Sequence, residues 1–188
     1  MELNKEQILI DRLLMKEEAA WKELFEVYSG NLTYVCSRYI LDKDNVHDVL
    51  QNSFIKMFRS IESFQYRGNG SLRAWMSRIV VNESLTFLKQ NSDFKNFVDN
   101  SELPDKTVDE EPDLQQIPEA VIMEMIRSLP EGYRTVFNLF VFEEKSHKEI
   151  GEILGIAENS SASQFHRARV TLAQKIKEYK RLKIAQYE

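Results

Sequence analysis

One cysteine, four prolines, six glycines and no long apolar run set out first what this 188-residue chain is not. Cys36 alone cannot close an internal disulfide, so no stapled framework is expected and a reducing compartment fits. Proline and glycine this scarce supply too few turn residues for a fold of many short strands, which favours helices. The N terminus, Met1-Glu-Leu-Asn-Lys-Glu-Gln, carries acidic residues with no long apolar stretch behind it. Neither a signal peptide nor membrane insertion is expected, and the expected location is cytoplasmic. The three histidines, His47, His147 and His166, lie far apart and lack metal-ligand spacing with Cys36. With no glycine-rich phosphate loop either, no metal, cofactor or catalytic residue is expected, and the chain reads as a non-enzyme.

What is present is ordinary globular material: 43% hydrophobic and 29% charged residues, enough to bury a core in each half of the chain. The net charge of -5 is unevenly spread. Residues 1–97 carry 13 basic and 13 acidic side chains, 98–117 carry 1 and 7, and 118–188 carry 11 and 10. The acidity is therefore confined to one stretch, while residues 159–183 hold seven basic groups against Glu178 alone. That local excess is the footprint of a nucleic-acid partner.

Apolar positions at helical spacing predict two or three helices over residues 5–40, with Gly30 a possible kink site, and then a helix capped by Asp42 or Asp44 that ends near Ser63. Phe64-Gln-Tyr-Arg-Gly-Asn-Gly-Ser71 combines two glycines with Asn69 and reads as an exposed loop; Ser71 is the expected cap of a helix reaching about Gln90. Pro104, Pro112 and the run Asp109-Glu-Glu give residues 93–117 the composition of a solvated linker. The expected organisation is all-α: a helical domain over 1–92, an acidic linker over 93–117, and a second helical domain over 118–188. In the latter, Pro118 opens one helix, Pro130 stops it, and Tyr133 to Val141 lie on another.

A helix-turn-helix stands out near the C terminus. Ser146 with Glu149 three residues on has capping-box spacing, Gly155 ends the short helix, and Asn159 or Ser160 is the expected cap of the next. The N-terminal half of that second helix offers small or polar groups suited to a major groove: Ser160, Ser161, Ser163, Gln164 and Arg167. Phe165, Ala168, Leu172 and Ile176 form the opposite, core-facing stripe, Arg169 and the basic tail suit phosphates, and His166 is expected to pack or hydrogen-bond in the interface rather than contact phosphate. Taken alone, this pattern also fits a stand-alone regulator acting as a dimer.

Three strings carry a resemblance: Leu129-Pro-Glu-Gly-Tyr-Arg-Thr-Val-Phe, Ser146-His-Lys-Glu-Ile-Gly-Glu-Ile-Leu-Gly-Ile and Phe165-His-Arg-Ala-Arg. Together they resemble region 4 of extracytoplasmic-function sigma factors of the sigma-70 family. Asp48-Val-Leu-Gln-Asn-Ser-Phe-Ile-Lys-Met-Phe and Leu72-Arg-Ala-Trp-Met-Ser-Arg-Ile-Val-Val-Asn resemble region 2 of the same family. The resemblance implies a subunit that binds bacterial core RNA polymerase, recognises the -10 and -35 elements of promoter DNA, helps melt it, and has an anti-sigma factor as a further partner. It implies polymerase contacts at Asp48, Gln51, Asn52, Ile55 and Lys56, with Asn52 standing where the family usually has an acid. It implies capture of the -10 strand by Phe64, Tyr66, Arg67 and Asn69 of the loop and Arg73, Arg78, Asn82 and Thr86 of the following helix, with Asn82 preferred as base reader. For the -35 element it implies Ser160, Ser161, Ser163, Gln164, Arg167 and Arg169. Where relatives often carry Lys and Arg in this helix the chain has Ala162 and Gln164, so Gln164 is expected to shift base preference.

Overall fold

The structure is a computed structural model that describes residues 5–91, 114–115 and 117–185; the acidic run Asp109 to Glu111 lies outside the described residues. Among those described, every regular element is a helix. Two compact units divide the chain, Met1–Asn91 and Ser92–Glu188.

The first unit is built from α1 (Lys5–Leu14), α2 (Glu18–Ser37), α3 (Lys43–Ser60), a single 3-10 turn (Ile61–Ser63) and α4 (Ser71–Asn91). Its centre is filled by Ile10, Leu13, Leu24, Leu32, Tyr39, Met57, Leu72, Met76 and Val80, all with almost no exposed surface. Two local expectations hold and two do not. Asp42 caps α3, its carboxylate accepting the Asn45 N–H at 2.9 Å. Helix α3 gives way to the 3-10 turn after Ser60, and Ser63 closes it. Gly30 does not interrupt α2, which runs through it, with open space where a side chain would stand. Ser71 does not cap α4 but is its first residue; its hydroxyl accepts the Arg67 N–H at 3.3 Å. The start of α4 is held from a distance instead, by the Glu6 carboxylate of α1.

The second unit comprises α5 (Glu119–Arg127), α6 (Glu131–Val141), α7 (His147–Leu154) and α8 (Glu158–Ala185). Pro118 and Pro130 stand immediately before α5 and α6, where a missing N–H costs nothing. Met123, Ile126, Leu129, Tyr133, Ala168 and Leu172 form one core cluster, so the middle of α8 is pinned against α5 and α6. Arg134 is buried, and one of its terminal nitrogens donates to the carbonyls of Arg127 and Leu129 at 3.2 and 2.9 Å. These bonds tie the end of α5 to α6, while burial lowers the pKa of the guanidinium.

Candidate nucleic-acid interface

The helix-turn-helix is α7 and α8. Ser146 caps α7 as expected: its hydroxyl accepts the Glu149 N–H at 3.3 Å while the Glu149 carboxylate accepts the Ser146 N–H at 2.8 Å. Those bonds, chiefly the backbone one, with the Ser146 hydroxyl and Lys145 adding to them, pull the Glu149 pKa from its ordinary 4.5 to about 2. Gly155 ends the helix at φ 70°, in the left-handed region that favours glycine. The sequence pattern did not single out Gly151, yet a Cβ there would stand 2.8 Å from the Ile156 carbonyl oxygen. The turn folds back that closely onto α7. Helix α8 starts at Glu158, a residue or two before the expected caps, so Asn159 and Ser160 sit inside its first turn.

This placement corrects two assignments. Ser161 and Gln164, expected to face a groove, are buried. They lie seven and four residues before Ala168, on the stripe that continues to Leu172, so helical periodicity turns them inward. Ser161 Oγ meets His147 Nδ1 at 3.0 Å, and the His147 ring stacks on Phe140 with centroids 4.7 Å apart. The carboxamide oxygen of Gln164 is buried with no hydrogen-bond partner, and its 7% exposure leaves little of the side chain at the surface where a base would be read. Arg167 is half-buried, one terminal nitrogen donating to the Tyr133 hydroxyl at 3.3 Å. Ser160, Ser163, His166 and Arg169 are exposed, so His166 does not pack in the core.

In the first unit, the loop between the 3-10 turn and α4 forms one wall of a small cleft of about 280 Å³, lined by Ser63, Phe64, Gln65, Arg67, Ser71, Ala74, Trp75 and Arg78. Phe64 lies against Trp75 with ring centroids 5.2 Å apart, both half-buried. The Tyr66 hydroxyl donates to Asn69 Oδ1 at 3.2 Å. Gly68 (φ 112°) and Gly70 (φ 86°) give the loop a backbone that other residues rarely adopt. Arg67, Asn69, Arg73, Arg78, Asn82 and Thr86 are all exposed. The loop and α4 thus join two aromatic rings to polar and cationic groups around one cleft, an arrangement suited to a stacked base and its phosphates.

On the other side of α3, Asp48, Gln51, Asn52 and Ile55 are exposed. Lys56 is exposed too, but it is ion-paired with Glu83 of α4. Gln51 and Ile55 line a groove of about 1000 Å³ between α2 and α3, whose floor includes Trp21, Phe25, Leu50, Phe54 and Phe58. Trp21 packs on Phe58 and Phe25 on Phe54, at 5.0 and 5.1 Å between centroids. Phe25 and Phe58 remain more than half exposed. The contribution of α2 was hidden in the sequence because Trp21 and Phe25 share a helical stripe with the truly buried Leu24. Exposed aromatic surface of this kind is characteristic of a contact site for a protein, a membrane or a ligand.

Residues 24–94 match the model of sigma-70 region 2, and residues 119–172 match that of sigma-70 region 4, together about two thirds of the chain. The chain belongs to the sigma-70 family, among its extracytoplasmic-function members. The ECF RNA polymerase sigma-E factor of Haemophilus influenzae is 29% identical over 182 residues, covering 91% of this chain and 95% of that protein. The sigma-E factor of Escherichia coli (strain K12) is 28% identical over the same length, covering 91% of this chain and 94% of its own. A solved structure of CnrH in complex with the cytosolic domain of CnrY has the same fold, with a TM-score of 0.50 at 19% identity, covering 93% of this chain and 99% of that one. Region 2 accounts for α3, the loop and α4, and region 4 for the helix-turn-helix; α1 precedes the matched residues. A dimeric stand-alone regulator would leave the region 2 match without a role.

Proposed function

We propose that this chain is an alternative sigma factor that binds bacterial core RNA polymerase, recognises the -10 and -35 elements of its promoters and promotes melting and initiation. The observation that carries this reading is the presence of both sigma-70 regions on one chain, in the family's order. The chain itself performs no bond chemistry: it contributes binding and strand separation, and the polymerase supplies catalysis. It works in the cytoplasm with that enzyme; no described helix is long and apolar enough to cross a membrane.

The polymerase docks on the α2–α3 face, where Gln51 and Ile55 border exposed aromatic surface and Asp48 and Asn52 are exposed on the same helix α3. The separated -10 strand enters the cleft lined by Phe64, Arg67, Trp75 and Arg78, with Tyr66 and Asn69 on the same loop, Arg73 beside it for the phosphates, and Asn82 and Thr86 along α4. The -35 duplex lies against Ser160, Ser163, His166 and Arg169, with Arg167 at the edge and the basic end of α8 on the phosphates. An anti-sigma factor covers one or both of these regions; CnrH, which shares the fold, was solved with the cytosolic domain of CnrY bound.

Run-off transcription by core polymerase on a promoter library, with and without this chain, tests the proposal. Transcripts that depend on the chain and share two sequence elements at a fixed separation support it. Tight binding of the free chain to one duplex, with no polymerase-dependent transcript, would overturn it.

A further inference from the structure

Glu6 reaches from α1 across to the start of α4. One carboxylate oxygen accepts the Gly70 N–H at 2.6 Å and the other accepts the Leu72 N–H at 2.8 Å, contacts that join residues 64 and 66 positions apart. The first N–H groups of any helix lack partners within it, and here the nearest hydroxyl, Ser71, is turned to Arg67 instead. A carboxylate at that point makes charge-assisted bonds and complements the positive end of the helix dipole. The phenol of Tyr28 is pushed up by burial, and further by the Glu6 charge, while the Arg73 cation pulls it down, so Glu6 and Arg73 bear on the same side chain.

Gly70 is also the last residue of the Phe64–Gly70 loop, and Leu72 begins the helix that carries Trp75. Two glycines at positive φ leave this loop with a backbone of high intrinsic freedom, so the tie from Glu6 at its end adds to the short internal bonds of Tyr66 with Asn69 and of Arg67 with Ser71. We propose that Glu6 is a positioning residue for strand capture: it fixes the end of the loop, and with it the cleft between Phe64 and Trp75, before DNA arrives. The inference rests on the strand-capture reading given above. Its physical basis is preorganisation, since a loop already held in its binding shape loses less entropy when a strand enters. Because the carboxylate fills the helix N-terminus, phosphate contacts there fall to Arg67, Arg73 and Arg78 rather than to backbone N–H groups.

The test uses holoenzyme assembled from core polymerase and the full chain, a fluorescent single-stranded oligonucleotide bearing the -10 element, and single-base variants of it. Glu6→Ala is expected to weaken the cognate oligonucleotide about fivefold, roughly the worth of a helix cap at 1.4 kcal/mol per tenfold. It should also narrow the ratio between cognate and variant bases, with the affinity of the chain for core polymerase unchanged. Glu6→Gln, which keeps one acceptor and sets an amide donor against the other N–H, should fall between. Wild-type discrimination in Glu6→Ala, an equal gain for all oligonucleotides, or a parallel loss of polymerase binding in both variants would each overturn the proposal. Phe64→Ala and Asn69→Ala separate the two levels. If they lose discrimination while Glu6→Ala keeps it, the positioning role fails alone; if they too keep it, strand capture at this loop fails.

Discussion

Gln164 and Glu149 show how a residue's meaning depends on its surroundings. From the sequence, Gln164 is a polar group on a recognition helix, and Gln164→Ala should alter promoter choice. In the structure it is buried with an unpartnered carboxamide oxygen, which favours a packing role. Gln164→Ala should therefore leave -35 base preference unchanged and lower stability by about 1–2 kcal/mol through the space it vacates. Gln164→Leu, which fills that space without an unpaired carbonyl, should melt at or above wild type. Selection from a randomised -35 library, paired with thermal melts, checks both; a changed base preference in Gln164→Leu with an unchanged melt would restore the residue to the DNA. Glu149 contributes in a pH-dependent way. Its folded pKa, about 2, lies below the ordinary 4.5, so its contribution is fully present above pH 4.5 and is lost as the pH falls towards 2. Melting midpoints of wild type and Glu149→Gln should differ at neutral pH and converge across that window. A gap that stays constant down to pH 2 would mean that the carboxylate charge is irrelevant to the cap.

At the scale of the element, the turn between α7 and α8 is set by two glycines with different physics. Gly155 is needed for its dihedral angles, whereas Gly151 is needed for the space beside it. Alanine in mid-helix normally gains up to ~1 kcal/mol over glycine. At Gly151 the new methyl would press on the Ile156 carbonyl at 2.8 Å, and backbone, unlike a flexible side chain, gives way at a cost of about 1–3 kcal/mol. Gly151→Ala should thus be net destabilising and displace α8 relative to α7, read as a lower melting midpoint with weakened transcription from promoters that depend on the -35 element. A higher midpoint would show that the turn accommodates the methyl. Helix α3 presents the converse case: its buried face was legible from Val46, Val49 and Met57 at helical spacing, yet the neighbour that completes its exposed groove, α2, was not. Spacing within one helix states which face is apolar, not whether another helix covers it.

The whole molecule joins a sigma-70 region 2 and a region 4 through one chain, so under the proposed function each unit raises the effective concentration of the other at a promoter. Neither contact surface needs to be strong by itself. Moving the -35 element by half a helical turn, about 5 base pairs, puts it on the opposite face of the duplex. Transcription dependent on this chain should then fall by an order of magnitude or more, and a further insertion of about 5 base pairs should restore part of it if the linker permits the longer reach. Run-off transcription on such a spacing series measures this, and output indifferent to spacing would mean that a single unit suffices. The net negative charge does not oppose this function, because the acidic excess is confined to residues 98–117, apart from the basic end of α8.

The sequence by itself determined the helical class, the capping box at Ser146, the helix start at Pro118 and the stop at Pro130, and the glycine-rich loop before α4. Each of these depends on local backbone geometry or on hydrogen bonds between residues a few positions apart. The two motif sets also carried the family, because residue types at fixed spacing survive without knowledge of the fold. Tertiary structure alone decided that Gln164 and Ser161 point inward, that Trp21 and Phe25 line a groove with α3, and that Glu6 caps α4 from 64 residues away. Burial depends on what lies opposite. Where a helix end is closed by a carboxylate from another helix, nothing in the neighbouring sequence announces it.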